Sequence, residues 1–277
     1  MTKPRPSIAD KRRAFRQLHQ SGCFVIPNPW DAGSAIFLES LGFKALATTS
    51  SGFAWSQGRS DGAISRDMAL DHLRQMVAAT DLPLNADFER GFAADAAGVA
   101  QSVRLAIDTG VAGLSIEDST GDAAHPLFDL EVAVERMRAA RRAIDEAGGD
   151  TLLVGRAECF LVGRTDLDET IGRLRAYANA GADCLYAPGI RTREQIEAVV
   201  AGVAPKPVNL LIGFASELTM QEIAALGVRR VSVGGAMARS AWAGFMRAAK
   251  SIALDGRFDA FADAASGREL DSLFRKK

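Results

Sequence analysis

The sequence predicts a (β/α)8 TIM-type barrel, and three observations carry that expectation. Eight short, mostly apolar runs recur along the 277 residues, and stretches with helical periodicity separate most of them. A phrase also returns four times, in which a helix-like stretch ends in a small residue and Gly before an apolar run: LESLGFKALATT (38–49), AIDTGVAGLSIED (106–118), YANAGADCLYAPG (177–189) and IAALGVRRVSVGG (223–235). A helix stopped by Gly at C′ and feeding a buried strand produces this phrase. The runs are nearly continuous in apolar residues, as in parallel strands covered on both faces. Alternating strand and helix implies parallel pairing with crossovers. Eight such units in about 250 residues suit a closed barrel better than the alternative, an open doubly wound sheet; the missing GxGxxG weighs only mildly against the latter.

In chain order, a leading helix is expected at about 7–21. Strands follow at 23–27, 44–49, 83–87, 112–117, 152–156, 183–187, 207–211 and 229–233. The clearest helices are 65–80, 128–148 and 166–181. In the last, Leu167, Ile171, Leu174 and Ala178 share one helical face. No Pro/Gly/Ser-rich linker interrupts the pattern, so residues 1–277 are expected to form a single barrel domain. A charged helical extension at about 255–277 lies beyond the last barrel unit and is expected to be peripheral or involved in subunit contacts.

Composition narrows the function. Lys and Arg number 33 against 34 Asp and Glu, a net charge of −1, which argues against a nucleic-acid partner. The one basic cluster (Lys3, Arg5, Lys11, Arg12, Arg13, Arg16) is broken by Asp10 and is expected to be a solvated helix face or tail. The 48% apolar content supports a substantial core, yet no charge-free apolar stretch of membrane-spanning length exists. No apolar segment follows the N-terminal charges, so a secretory signal is not expected. Cys23, Cys159 and Cys184 are odd in number and lie among apolar neighbours, which suits a reducing compartment. The absence of CxxC and the scatter of His19, His72 and His125 argue against zinc. A cytoplasmic protein is the expectation.

Barrel active sites gather at the C-terminal ends of the strands. Polar residues expected there are Asn28, Trp30 and Asp31; Thr49, Ser50, Ser51 and Gly52; Asp87 and Glu89; Glu117 and Asp118; and Arg156 and Glu158, with Asn209 inside the seventh run. Asp87 and Glu89 are two apart, so an extended segment turns both to one face. With Glu117 they would make a cluster of acids whose mutual repulsion a hard divalent cation, Mg²⁺ or Mn²⁺, would relieve. The alternative is structural ion pairing with Arg156 and Arg90. Arg156 suits bidentate capture of a carboxylate or phosphonate, or a salt bridge to Glu158 or Glu117. The loop 48–58 could offer backbone amides to an anion. His125 is expected to be exposed or loop-packed, Trp30 and Trp55 to wall the pocket or pack on helices, and Asp31 to cap a helix.

NPWDAGSA, TTSSGFAWSQGRSDG, NADFERGF, LSIEDS, GRAECFLVGR and AGADCLYAPG, in this order, resemble the isocitrate lyase/phosphoenolpyruvate mutase superfamily over roughly residues 15–250. The resemblance implies a barrel with a Mg²⁺-dependent site, an exchanged C-terminal helix and assembly as a homodimer or homotetramer. It further implies Asp87 as the closest metal ligand, with Glu89, Glu117 and Asp61 holding the metal's waters. Ser51, Gly52 and Phe53 would meet the substrate carboxylate, and Arg156 would correspond to the family's fifth-strand arginine. The loop DSTGDAAHPLFD carries neither the lyases' Cys motif nor the mutases' Lys, and the sixth strand ends in YAPG where the mutases have His. The expected activity is Mg²⁺-dependent C–C cleavage of a small 2-oxo or 2-hydroxy acid through an enolate-like intermediate, like that of 2-methylisocitrate lyase or oxaloacetate decarboxylase. Glu117 and Arg156 would be catalytic, and Asn209 and Trp30 would contact substrate. P–C chemistry, as in phosphonopyruvate hydrolase or phosphoenolpyruvate mutase, is one alternative. A barrel that only binds Mg²⁺ and small acids is another.

Overall fold

Eight parallel strands form one sheet in the order β1-β8-β7-β6-β5-β4-β3-β2 in the computed structural model, which describes residues 4–275. The strands are β1 (Phe24–Ile26), β2 (Leu46–Ala47), β3 (Leu84–Asp87), β4 (Gly113–Glu117), β5 (Leu152–Arg156), β6 (Cys184–Tyr186), β7 (Val208–Leu211) and β8 (Arg230–Ser232). Each falls inside an expected run. A bond from the Ala47 amide to the Pro27 carbonyl (3.0 Å) spans the seam between β2 and β1, so the barrel is nearly closed.

The helices are α1 (Ile8–Leu18), α2 (Ala32–Ser40), α3 (Ser50–Ser56), α4 (Arg66–Ala79), α5 (Ala96–Asp108), α6 (Leu130–Glu146), α7 (Leu167–Asn179), α8 (Arg193–Val203), α9 (Met220–Ala225), α10 (Ala236–Asp255) and α11 (Gly267–Phe274). Most begin at a residue whose side-chain oxygen can satisfy a free amide of the first turn. Ser7, Asp31, Ser65, Asp95, Asp166, Thr192 and Thr219 each accept a bond from the third residue onward. The recurring glycines Gly42, Gly110, Gly181 and Gly227 all have φ between 85° and 105°, the left-handed turn that ends each helix before its strand.

Strand residues alternate between two environments. Leu84, Ala86, Leu114, Ile116, Leu153, Leu185, Leu210 and Val231 join Met76, Val103, Met137, Leu174 and Val199 in the apolar layer between sheet and helices. The intervening residues face the barrel interior. At its lower end Phe15 of α1 is fully buried with Ile26, Ala45, Ala47, Ala112 and Leu152. Its ring leaves Gly113 no space: a Cβ there would stand 2.7 Å from the ring.

The N-terminal basic cluster is not a solvated face. The Lys11 ammonium is buried and donates to the Thr80 carbonyl (2.6 Å), Arg5 to those of Ala78 and Thr80, Arg12 to those of Ile107 and Val111, and Arg16 to those of Gly149 and Asp150. Helices α4, α5 and α6 all end at this side of the barrel, and the cations of α1 satisfy carbonyls left there without helical partners. Arg5 and Arg13 stay exposed as expected, paired with Asp81 and Asp10, and Lys3 lies outside the described residues.

The C-terminal part departs from the barrel. Of the twenty residues of α10 only Ala238 is buried. Trp242, Phe245, Met246, Ile252 and Leu254 are exposed. Beyond it a single 3-10 turn (Asp259–Phe261) and α11 follow, with the Phe274 ring reaching Gly33 of α2. The extension expected at 255–277 is thus helical only in part, and residues 276–277 lie outside the described residues.

Candidate active site

The C-terminal ends of the strands surround a cavity of about 170 Å³, room for roughly five waters or a small acid. Asp61, Asp87 and Arg156 line its rim with Thr48, Thr49, Ser50 and Ser51; Asn28, Asn85, Ser115, Tyr186, Arg230 and Ser232 line its walls and floor. Asp87 is fixed from two sides: its amide donates to Thr48 Oγ1 (2.9 Å), and its Oδ2 accepts from the Ser50 amide (2.9 Å). Asp61 reaches the same place through Ser50 Oγ (3.3 Å).

Arg156 stands at the centre of the acids. Its Nη1 lies 3.1 Å from Asp87 Oδ1 and 3.2 Å from Glu117 Oε2, while its Nε donates to Glu158. Tyr186 places its ring beneath the guanidinium, 5.2 Å from centroid to Cζ. The salt bridges foreseen as an alternative role for Arg156 are therefore present. They do not balance the charge. Asp61, Asp87, Glu89, Glu117 and Glu158 interact electrostatically around this guanidinium, five acids against two cations, Arg156 and, acting on Glu89, Arg90. Burial first, then Asp87 and Asp61, push the Glu89 carboxyl up to about 7. Burial raises Glu117 well above the ordinary carboxylate range despite Arg156, with Glu158, Asp87 and Glu89 adding to the rise. Asp61 is raised by burial and Asp87. Glu89 is also held at a positive φ of 46°, a strained backbone for a non-glycine residue.

This donor set fits a hard divalent cation. The candidate ligands are all oxygen, acids outnumber the cations around them, and burial and mutual repulsion disfavour the ionised carboxyls. Among the described residues no three His, Cys, Asp or Glu side chains are gathered for direct chelation.

Other expected residues fall elsewhere. The segment after β2 is not an open loop: Thr49 caps α3, and its Oγ1 and carbonyl take the amides of Gly52 and Phe53. Ser51 lines the cavity, whereas Gly52 is buried under Thr49 and Trp30, and Phe53 stacks on His72 at 3.8 Å. Trp30 borders a surface groove with Trp242 and Phe245. Trp55 borders the groove on the other side of Trp242. Asn209 is wholly buried and bridges Arg230 and Ser232 instead of lining the cavity. Asp118 is structural: it accepts from the Tyr177 hydroxyl (2.5 Å), Arg173 (3.2 Å) and the Glu158 amide (2.8 Å). The loop after β4 closes on itself through a Ser119–Leu127 bridge, and His125 projects into solvent toward Asp122.

Sequence reasoning missed Tyr186, Arg230, Ser115, Asn85 and Ser232. A signal was present: each is a polar residue at an inward position of an otherwise apolar run. Burial pushes the Tyr186 phenol up to about 12, so it stays protonated, and its hydroxyl meets Ser232.

An acid-rimmed mouth at the C-terminal end of a (β/α)8 barrel is where enzymes of this fold carry their active sites. Residues 15–253 match the phosphoenolpyruvate phosphomutase family model. The chain belongs to that family, within the isocitrate lyase/phosphoenolpyruvate mutase superfamily. A protein of Burkholderia cenocepacia J2315 described as a lyase/mutase superposes with a TM-score of 0.94 at 48% identity, over 97% of both chains. Oxaloacetate decarboxylase of Bradyrhizobium sp. (strain ORS 278) is 30% identical over 80% of this chain and 77% of its own. Oxaloacetate acetylhydrolase, solved with its product oxalate, superposes with a TM-score of 0.86 at 26% identity, over 97% of this chain and 95% of its own.

Proposed function

We propose that this protein is a Mg²⁺-dependent lyase that cleaves a C–C bond in a small 2-oxo or 2-hydroxy acid. The observation that carries the reading is the surplus of carboxylates around Arg156 at the mouth of a cavity sized for a small acid. Superfamily members are generally Mg²⁺-dependent. Asp87 would hold the ion directly, and Glu89, Glu117 and Asp61 would hold its waters. When bound, Mg²⁺ (or Mn²⁺) supplies a Lewis acid for the carboxylate and adjacent oxygen of the substrate.

The chain's own groups then have defined roles. Ser51 and Thr49 flank the substrate end of the cavity. Arg156, pinned by Asp87, Glu117 and Glu158 and lining the cavity, would stand where negative charge develops on the 2-oxygen. Tyr186 is a second fixed donor nearby. Neither needs to reorganise as the bond breaks. The loop after β4 offers no Cys or Lys, and His125 faces outward. Cleavages that need no protein base therefore fit best, above all loss of CO₂ from a 2-oxo acid bearing a 3-carboxylate. That supports an oxaloacetate decarboxylase-like reaction over one like 2-methylisocitrate lyase. We further propose a homodimer or homotetramer in which a second copy covers the apolar face of α10, by helix exchange or by direct packing.

The test is a panel of oxaloacetate, 2-methylisocitrate and phosphonopyruvate with Mg²⁺, read by pyruvate release and ³¹P NMR. Metal-dependent pyruvate formation from oxaloacetate, abolished by EDTA and in Asp87→Asn, is expected. Turnover of phosphonopyruvate alone would transfer the assignment to P–C chemistry. Mg²⁺ and oxalate binding without any turnover would make the barrel a binding protein.

A further inference from the structure

The floor of the cavity carries a cation that the rim chemistry does not use. Arg230 opens β8, is 2% exposed, and lines the cavity from below. Its Nε donates to Asn209 Oδ1 (2.8 Å), and its Nη1 reaches Asn85 Oδ1 (3.4 Å). Asn209 in turn donates to Ser232 Oγ (2.9 Å), which fixes the amide that aims the guanidinium.

Two other buried guanidinium groups have carboxylate partners: Arg173 meets Asp118 and Arg156 meets three acids. Arg136, away from the cavity lining, has only carbonyl partners, those of Arg90, Ala93 and Ala94. Arg230 meets only neutral amide oxygens, and among the described residues no carboxylate pairs with it. Burial pulls its pKa down, and only Cys184 and Tyr186 favour its charge. A buried, unpaired cation is costly unless an anion arrives. The cavity is the open route to it.

We propose that Arg230 is the second acid-binding pole of this site, selecting substrates whose distal carboxylate reaches down the barrel axis. The proposal rests on the reading of the rim as the seat of a small acid and names the residue that would hold that acid's far carboxylate. Spacing agrees. Asn85, which touches Arg230, is the inward residue next below Asp87 on β3, about 6.6 Å along the strand. That interval matches the reach from a 2-oxo acid headgroup at the rim to the far carboxylate of a four- or five-carbon diacid. Asn209 is then a positioning residue acting through Arg230.

Malate and 2-hydroxybutyrate test this directly, since they differ only by a carboxylate in place of a methyl. Calorimetry with the full chain, with and without Mg²⁺, should show malate bound about 10- to 100-fold more tightly. Arg230→Met should erase that preference while 2-hydroxybutyrate affinity stays within about twofold, and Arg230→Lys should keep part of it. Equal loss for both ligands would make Arg230 a structural plug, and absence of a preference in the wild type would overturn the proposal outright. Should Arg230→Met fail to fold, the wild-type preference and Arg230→Lys decide. Because the readout is binding, a malate preference that depends on Arg230 stands even if the substrate panel shows no C–C cleavage.

Discussion

Metal affinity should depend on pH through Glu89. Its carboxyl, pushed up to about 7 from an ordinary 4.5, is largely protonated at pH 6 and ionised at pH 8. A divalent cation at Asp87 needs the ionised form, so binding must expel the proton. With that pKa, apparent affinity falls by the ratio of (1 + 10^(7−6)) to (1 + 10^(7−8)), about tenfold or about 1.4 kcal/mol between pH 8 and pH 6. Glu117 and Asp61 are shifted in the same direction and add to the effect. Titration of Mg²⁺ or Mn²⁺ in buffers of different ionisation enthalpy should show about 0.9 proton released at pH 6 and about 0.1 at pH 8 from Glu89 alone. The metal-free protein carries the complementary signature. The folded pKa lies above the unfolded one, so the folded state binds more protons between about pH 4.5 and 7, and stability is lost as pH rises through that window, by about 3 kcal/mol. Glu89→Gln should therefore flatten both profiles, stabilising the metal-free protein at pH 8 while weakening metal binding. Affinity that is level from pH 6 to 8, or unaltered pH profiles in Glu89→Gln, would refute the reasoning.

Other consequences are equally direct. His19 and His72 are buried and neutral, their pKa values lowered to about 3 and about 4 chiefly by burial. The unfolded chain takes their protons first, so stability is lost as pH falls below about 6.5, by about 2 kcal/mol for His72 at pH 5; His72→Gln should shift the acid midpoint of a denaturation curve downward. At Gly52 a Cβ would stand 2.7 Å from Thr49 Cγ2 and 3.0 Å from Trp30 Cβ. Gly52→Ala should cost about 1–3 kcal/mol in urea melts and disturb the Ser50 contact to Asp87. If a second copy covers α10 as proposed, Trp242→Glu combined with Phe245→Glu on its exposed face should give a monomer by light scattering where the unmodified chain gives a dimer or tetramer.

The barrel was legible because its signals are local. Gly42, Gly110, Gly181 and Gly227 announce helix ends, and Asp31 announces a helix start, through the backbone geometry of a few neighbouring residues. The acids at 87, 89 and 117 could be placed on one rim because they follow strands and rims are shared, whereas Asp61 is named only through the family resemblance. The basic N-terminal helix misled because its partners, the carbonyls of Thr80, Ile107 and Gly149, belong to three separate helices whose ends meet only in the folded barrel.

What the amino-acid order determined by itself was therefore the element sequence, the parallel barrel and the set of carboxylates at its mouth. Only the tertiary structure decided that Arg156 is committed to three of those carboxylates, that Thr49 consumes the amides of Gly52 and Phe53, that Asn209 serves Arg230, and that Arg230 is left without an anion. The reason is physical. Element formation depends on spacing within a few residues, whereas the charge state and partner of a buried group depend on side chains brought to it from strands far apart in the chain.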